Sequence, residues 1–208
     1  MYTIETQFFP TQFFFALHLK GEVDIELHEN YQKRSFRNRC MIAGANGGQL
    51  LTVPLKKGKN QQQPITEVSV SYDEDWPRIH LSSIEAAYRS APYYDHYIED
   101  LRSILTQKET QLYLLNQKII QWSLRNLGED GAIRYTSEFK REVEGEDCRG
   151  SCHPRNYERW LGIKYPQVFE DRFGFLPNLS IIDLLFCQGP YARIILKDFP
   201  ISYGSELF

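Results

Sequence analysis

Apolar positions change period along the chain, and the changes mark its elements. Tyr2 to Phe9 is rich in aromatic and β-branched residues and stops at Pro10, which predicts a first strand closed where proline removes a donor. Thr11 to Leu19 offers a short apolar helix. Val23-Asp-Ile-Glu-Leu27 alternates apolar and acidic residues at period two, the mark of a half-buried strand. Arg39 to Gly44 and Gln49 to Leu55 flank Asn46-Gly47, whose tolerance of positive φ favours a hairpin turn. Cys40 and Ile42 then share one face, Leu51, Val53 and Leu55 line the second strand, and Arg39 and Met41 point away. Lys56 to Pro64 is polar and reads as a loop. Alternation of Val68, Val70 and Tyr72 predicts one more strand over 67 to 72.

From Asp73 the period becomes helical. Trp76, His80, Ile84, Ala87 and Tyr88 recur at spacings of three and four, which gathers them on one face and places His80 on the apolar stripe. Pro92 starts a second helix carrying Leu101, Ile104 and Leu105. Thr106-Gln-Lys-Glu109 has capping-box spacing and predicts a third helix from there, with Leu112, Leu115, Ile119 and Trp122 as its stripe and Gly128 as its stop. Ala132 to Thr136 reads as a further strand, and 138 to 156 as a charged connector. Ser180 and Asp183 at capping-box spacing, with Leu179 and Leu184 as a staple, predict a last helix over 181 to 187. The fold class is α/β: one domain over 1–208, a mixed sheet in a β-rich N-terminal half with the hairpin near 46–47, and three to four helices in the second half.

Composition narrows the function. At 208 residues with 42% hydrophobic and 14% aromatic content the chain can bury a substantial core. A formal charge of −3 gives no global attraction to nucleic acid or an anionic membrane. The aromatics Tyr93, Tyr94 and Tyr97 stand beside acids, which disfavours a base-stacking platform. No apolar run reaches the roughly 20 residues of a membrane span, and the N-terminus lacks the regions of a signal peptide. Four scattered cysteines suit a reducing compartment, so a cytoplasmic location is expected.

Charge is segregated locally. Between Tyr31 and Thr66 lie seven Lys or Arg and no acid. Lys33, Arg37, Asn38, Arg39 and Lys56 are therefore the expected holders of an anionic small molecule, arginine by a fork and lysine as a point charge. The plainer reading is a solvated basic face. His80 is the best acid/base candidate, with Tyr88 positioning, although a histidine on an apolar face is more often a satisfied core residue. Asp183 is explained by capping. Cys148-Arg-Gly-Ser-Cys152-His153 supplies only one end of a zinc pattern, so no metal is expected, nor any cofactor. No glycine-rich phosphate loop or nucleophile elbow occurs. The oligomeric state is not encoded in any recognisable pattern.

Taken in order, Lys33-Arg-Ser-Phe-x-Asn38-Arg39, Leu51-Thr-Val-Pro54, Trp76 with His80, Ile84 and Tyr88, Ala91-Pro-Tyr93, Tyr165-x-Gln167, and Gly174-Phe-x-Pro-x-Leu-Ser-Ile-x-Asp183-Leu-Leu-Phe186 resemble the WbqC-like family of bacterial proteins, from about residue 4 to 196. The resemblance implies a role in O-antigen-type surface polysaccharide biosynthesis. It points to an anionic, nucleotide-activated amino sugar and to acyl-type transfer or condensation, hence a transferase; the rival is a non-catalytic nucleotide-sugar-binding or regulatory protein. Two departures stand out. The family's opening His-Gln-Pro-x-Tyr-x-Pro is here Ile4-Glu-Thr-Gln-Phe-Phe-Pro10, without the histidine, and the segment before the Tyr-x-Gln block is short.

Overall fold

The structure, a computed structural model, describes residues 1–58 and 60–201. In chain order it runs β1 (Tyr2–Glu5), α1 (Gln12–Lys20), β2 (Val23–Glu26), β3 (Arg39–Gly44), β4 (Gly47–Thr52), α2 (Trp76–Tyr88), α3 (Tyr94–Thr106) and α4 (Leu112–Asn126). Then come β5 (Arg134–Tyr135), β6 (Glu146–Asp147), α5 (Glu170–Phe173), α6 (Ile181–Gln188) and α7 (Ala192–Asp198). The class is α/β, with strands concentrated in the N-terminal half and most helices in the second half.

One βαβ unit, β1–α1–β2, forms the middle of a four-stranded parallel sheet ordered β5-β2-β1-β6. Its register runs from Tyr2 opposite Val23 to Glu5 opposite Glu26. Side chains alternate across a strand, so the sheet has two unlike faces. Ile4, Val23 and Ile25 join the apolar core with Phe13, Phe14 and Leu17 of α1. Thr3, Glu5, Asp24 and Glu26 occupy the other. The connector is fastened to β1 where the Glu146 amide donates to the Met1 carbonyl at 3.0 Å. Gly145 (φ 87°) makes this approach possible, because a Cβ there would lie 2.2 Å from the Met1 oxygen.

Several elements differ from the periodicity. The first strand ends at Glu5, because Gln7 turns its side chain back onto Glu5 and Thr11 and the Phe8 amide donates to Phe36; Phe9 then takes φ 42° inside the core. The hairpin turns at Ala45-Asn46, one residue earlier than Asn-Gly predicts, and of the two expected turn residues only Gly47 has positive φ, 102°. Residues 67 to 72 form no strand: a short 3-10 turn covers Ile65–Glu67, followed by single bridges, Ser69 to Gln111 and Val70 to Leu55. Thr106 ends α3 instead of capping α4, since Glu109 takes the Thr110 amide and Lys118. The connector holds β6, and α7 follows α6. Among the described residues no helix is long and apolar enough to cross a membrane.

Candidate functional site

In open parallel sheets ligands gather outside the carboxyl ends of the strands. Here β1 and β2 end there in register partners Glu5 and Glu26, 1% and 0% exposed. Glu5 accepts from Gln7 Nε2 at 3.2 Å and from the Gly150 amide at 2.9 Å. Glu26 accepts from the His28 amide at 2.6 Å, Thr136 Oγ1 at 2.9 Å and Arg149 Nη1 at 3.3 Å. A third buried carboxyl, Glu29, receives Arg37 in a two-pronged pair, Nε at 2.7 Å and Nη2 at 2.6 Å. Burial works against the Arg37 charge, yet Glu5 and Glu29 outweigh it and raise its pKa.

The basic stretch therefore divides. Arg37 and Asn38 are internal: Asn38 donates to the Val53 carbonyl and accepts from Tyr31 Oη, and Asn116 donates to the Arg37 carbonyl. They hold the loop between β2 and β3 against the hairpin and α4. Lys33 is exposed and lines a cleft of about 590 Å³ with His28, Glu29, Tyr31, Gln61 and Phe139. Arg39 is half-buried. Its Nε is shut off from water with no hydrogen-bond partner, and no acid pairs with it among the described residues. Its charge reaches both Tyr31, a wall of the cleft, and His153, whose pKa is lowered first by burial and then by Arg155, Arg37 and Arg39. Lys56 is exposed and does not line the cleft, and Lys59 lies outside the described residues. The first amides of α1, a common anion seat, are already taken, Gln12 by the Leu179 carbonyl and Phe13 by Asn178 Oδ1.

His80 and Tyr88 stand elsewhere. His80 is 4% exposed between Phe8 and Trp76, with Nε2 3.2 Å from the Thr52 carbonyl. Burial, only partly opposed by that bond, lowers its pKa to about 4. A histidine depressed in the fold stabilises above its unfolded pKa of about 6.5, and this contribution is lost as pH falls through the folded value. Between pH 6.5 and 4 the loss should be on the order of 3 kcal/mol. Urea unfolding across that range should show the drop, and His80→Gln should remove its share, leaving the part due to His18, which burial likewise lowers to about 4. Tyr88 Oη donates to Asp183 Oδ1 at 2.9 Å and accepts from the Ala43 amide at 2.8 Å.

Asp183 is not explained by capping. Ser180 Oγ does cap the Ile182 amide, but the Asp183 carboxyl instead collects Tyr88, Tyr165 at 2.5 Å and Gln167 at 2.8 Å. Tyr165 in turn accepts from Gln12 Nε2, so the polar knot joins α1, α2, α6 and the segment before α5. The cysteines read as buried packing: burial pushes the Cys148 and Cys152 thiols up to about 12, and Asn178 donates to Cys152 Sγ. Among the described residues no three His, Cys, Asp or Glu side chains are grouped to hold a metal ion.

Glu5, Glu26, Glu29 and Arg149 escaped the sequence reading, and His153 entered it only as part of an incomplete zinc pattern. The alternation in Val23-Asp-Ile-Glu-Leu27 does set Asp24 and Glu26 opposite the core, which reads as exposure. Only the connector, which carries no period, shows that this face is covered.

These features define a class: an α/β protein whose βαβ sheet opens, at its carboxyl edge, into a cleft of mixed charge. The chain belongs to the WbqC-like protein family, whose model matches residues 6–158. It is also 27% identical over 195 residues to uncharacterized protein Rv1507c of Mycobacterium tuberculosis, a match covering 80% of this chain and 84% of that one. No solved structure matches.

Proposed function

We propose that this protein binds an anionic, nucleotide-activated amino sugar in the cleft beside β2, in the course of surface polysaccharide biosynthesis, and that an acyl-type transfer or condensation on that sugar is its reaction. The observation that carries the reading is Arg39, a half-buried guanidinium with no acid paired with it among the described residues. It does not itself line the cleft and acts by its charge on Tyr31 of the cleft wall. Such a group is costly to bury alone and is well suited to a phosphate. Lys33 at the mouth adds a mobile positive charge. Arg37 and Asn38 serve by fixing the loop that carries Lys33.

Thermal unfolding with uridine diphosphate sugars tests it, since a ligand that binds only the folded state raises stability by about 2.7 kcal/mol at a hundred times its Kd. Lys33→Ala should weaken binding by about tenfold, the worth of one charge-assisted contact, and Arg39→Ala by less, since its charge reaches the cleft from behind Tyr31, while Lys56→Ala leaves it unchanged. Absence of stabilisation by any nucleotide-bearing compound would refute the reading.

One observation favours binding without catalysis: His80 and Tyr88 are both bonded inside the core and neither lines the cleft. If His80→Ala leaves turnover intact, the catalytic role falls and the binding role stands.

A further inference from the structure

The β3–β4 hairpin is a two-stranded sheet of its own, so each of its strands has an outer edge. Opposed residues of an antiparallel pair alternate between bonded and unbonded. The Val53 amide donates to the Asn38 carbonyl at 2.8 Å, which turns Gly47, Gln49 and Leu51 toward β3 and leaves the amides and carbonyls of Gly48, Leu50 and Thr52 pointing outward. On the β3 side the outward groups are stopped. Met41 accepts from the Ser180 amide and Ala43 donates to Tyr88 Oη, both at 2.8 Å. On the β4 side His80 Nε2 meets the Thr52 carbonyl, but the outward groups of Gly48 and Leu50 have no partner among the described residues. Such an edge is a template for another strand, and proteins blunt it with charge, proline or a bulge. β4 carries no charge and no proline, and its register runs unbroken from Arg39 opposite Thr52 to Gly44 opposite Gly47.

Beside this edge lies a groove of about 390 Å³, walled by Ala45 and Gln49 of the hairpin and by Ile79, Ser82 and Ala86 of α2. Ile79 is 51% exposed. The charged residue of the wall is Arg78, held only by a surface pair with Asp75 at 3.2 Å, which contributes little. A strand edge beside a groove suits an extended peptide, which binds by main-chain pairing while its alternate side chains enter the groove. The walls set its chemistry: an apolar side chain against Ile79 and Ala86, and a carboxylate toward Arg78. A second copy of this chain fits less well. Pairing β4 with β4 about a two-fold axis keeps the same side of each strand on the same face, so the copy would offer the groove its own Gln49 and Leu51. Leu51 is 3% exposed within its own core, and Gln49 is drawn to Ser83 at 3.4 Å.

We propose that the outer edge of β4 and the groove beside it bind an extended peptide segment of a partner protein as an added strand, with an apolar side chain in the groove and an acidic one facing Arg78. This surface is separate from the cleft beside β2, with which it shares no lining residue.

Short random peptides displayed on phage and panned against the whole chain supply the probe. Enriched sequences should pair an apolar residue with Asp or Glu on the same side of an extended chain, two or four positions away. Bound to the synthesised peptide, the chain should show slowed hydrogen exchange at the Gly48 and Leu50 amides, which exchange freely without it. Leu50→Pro removes one outward donor where an edge strand tolerates proline, and should weaken binding by about tenfold. Arg78→Glu should move the preference from the acidic peptide to its lysine counterpart; circular dichroism checks that both variants fold. The proposal is overturned if no enriched peptide slows exchange at Gly48 and Leu50, or if affinity ignores both variants. It is equally overturned if sedimentation shows a dimer that Leu50→Pro dissolves, because a second copy then fills the edge.

Discussion

Arg37→Ala is expected to lower the unfolding free energy by about 3–5 kcal/mol, among the largest losses available to a single substitution in this chain. The pair it breaks is enclosed: the Arg37 and Glu29 side chains are 1% and 6% exposed. Removing the arginine strands Glu29 beside Glu5 and Glu26, like charges with no solvent to screen them. Burial is already the main force on Glu29, raising its pKa against the pull of Arg37. Urea denaturation followed by circular dichroism reads the loss. Arg37→Met combined with Glu29→Leu should recover most of it, because two apolar groups of similar volume leave no buried charge unpaired. A double variant as unstable as Arg37→Ala would show that packing, not charge, sets the cost. Arg37→Lys should fall between, since an ammonium keeps the charge but not the fork.

This pair also marks how far the chain could be read. The seven basic residues from Lys33 to Lys59 were visible as a charge anomaly, and so was the absence of acids among them. Their partners were not, because Glu5, Glu26 and Glu29 precede the stretch and reach it only through the parallel pairing of β1 with β2. Arg37 and Arg39 are equivalent in composition, yet among the described residues one is paired with an acid and the other is not. Local periodicity located α2, which has an apolar face at helical spacing, whereas α1 showed as a short apolar run and α6 through its cap and staple, both being buried over consecutive residues. It failed over 67 to 72, where alternating Val68 and Val70 are buried by α4 and the loop after β4 rather than by a sheet. Capping signals were ambiguous in the same way. Ser180 caps α6 as its position suggests, whereas Thr106 and Glu109 do not cap α4, because the helix before them runs on to Thr106.

Asp183→Ala is expected to cost about 3–5 kcal/mol, the second large effect, and by a different route. Asp183 is fully buried and receives Tyr88 Oη, Tyr165 Oη and Gln167 Nε2. Deleting it leaves those donors facing a void, at about 1–3 kcal/mol for each that finds no new partner. Asp183→Asn should cost less, since the amide oxygen still accepts while its NH₂ faces other donors. The pH dependence distinguishes this knot from the Arg37 pair. Burial raises the Asp183 pKa, opposed by Tyr165, Gln167 and Tyr88. A carboxyl raised in the fold holds its proton more tightly folded than unfolded. Its contribution is therefore fully present below the unfolded pKa and is lost as pH rises through the folded one. The stability of the wild type relative to Asp183→Asn should thus be greatest in acid and decline toward pH 7, opposite in sign to the loss of His80. Urea midpoints for the two proteins, taken at several values between pH 4 and 7, measure it. A difference that grows with pH would mean that the donors hold Asp183 ionised, and that the knot is a charged site rather than a neutral hydrogen-bonded clasp.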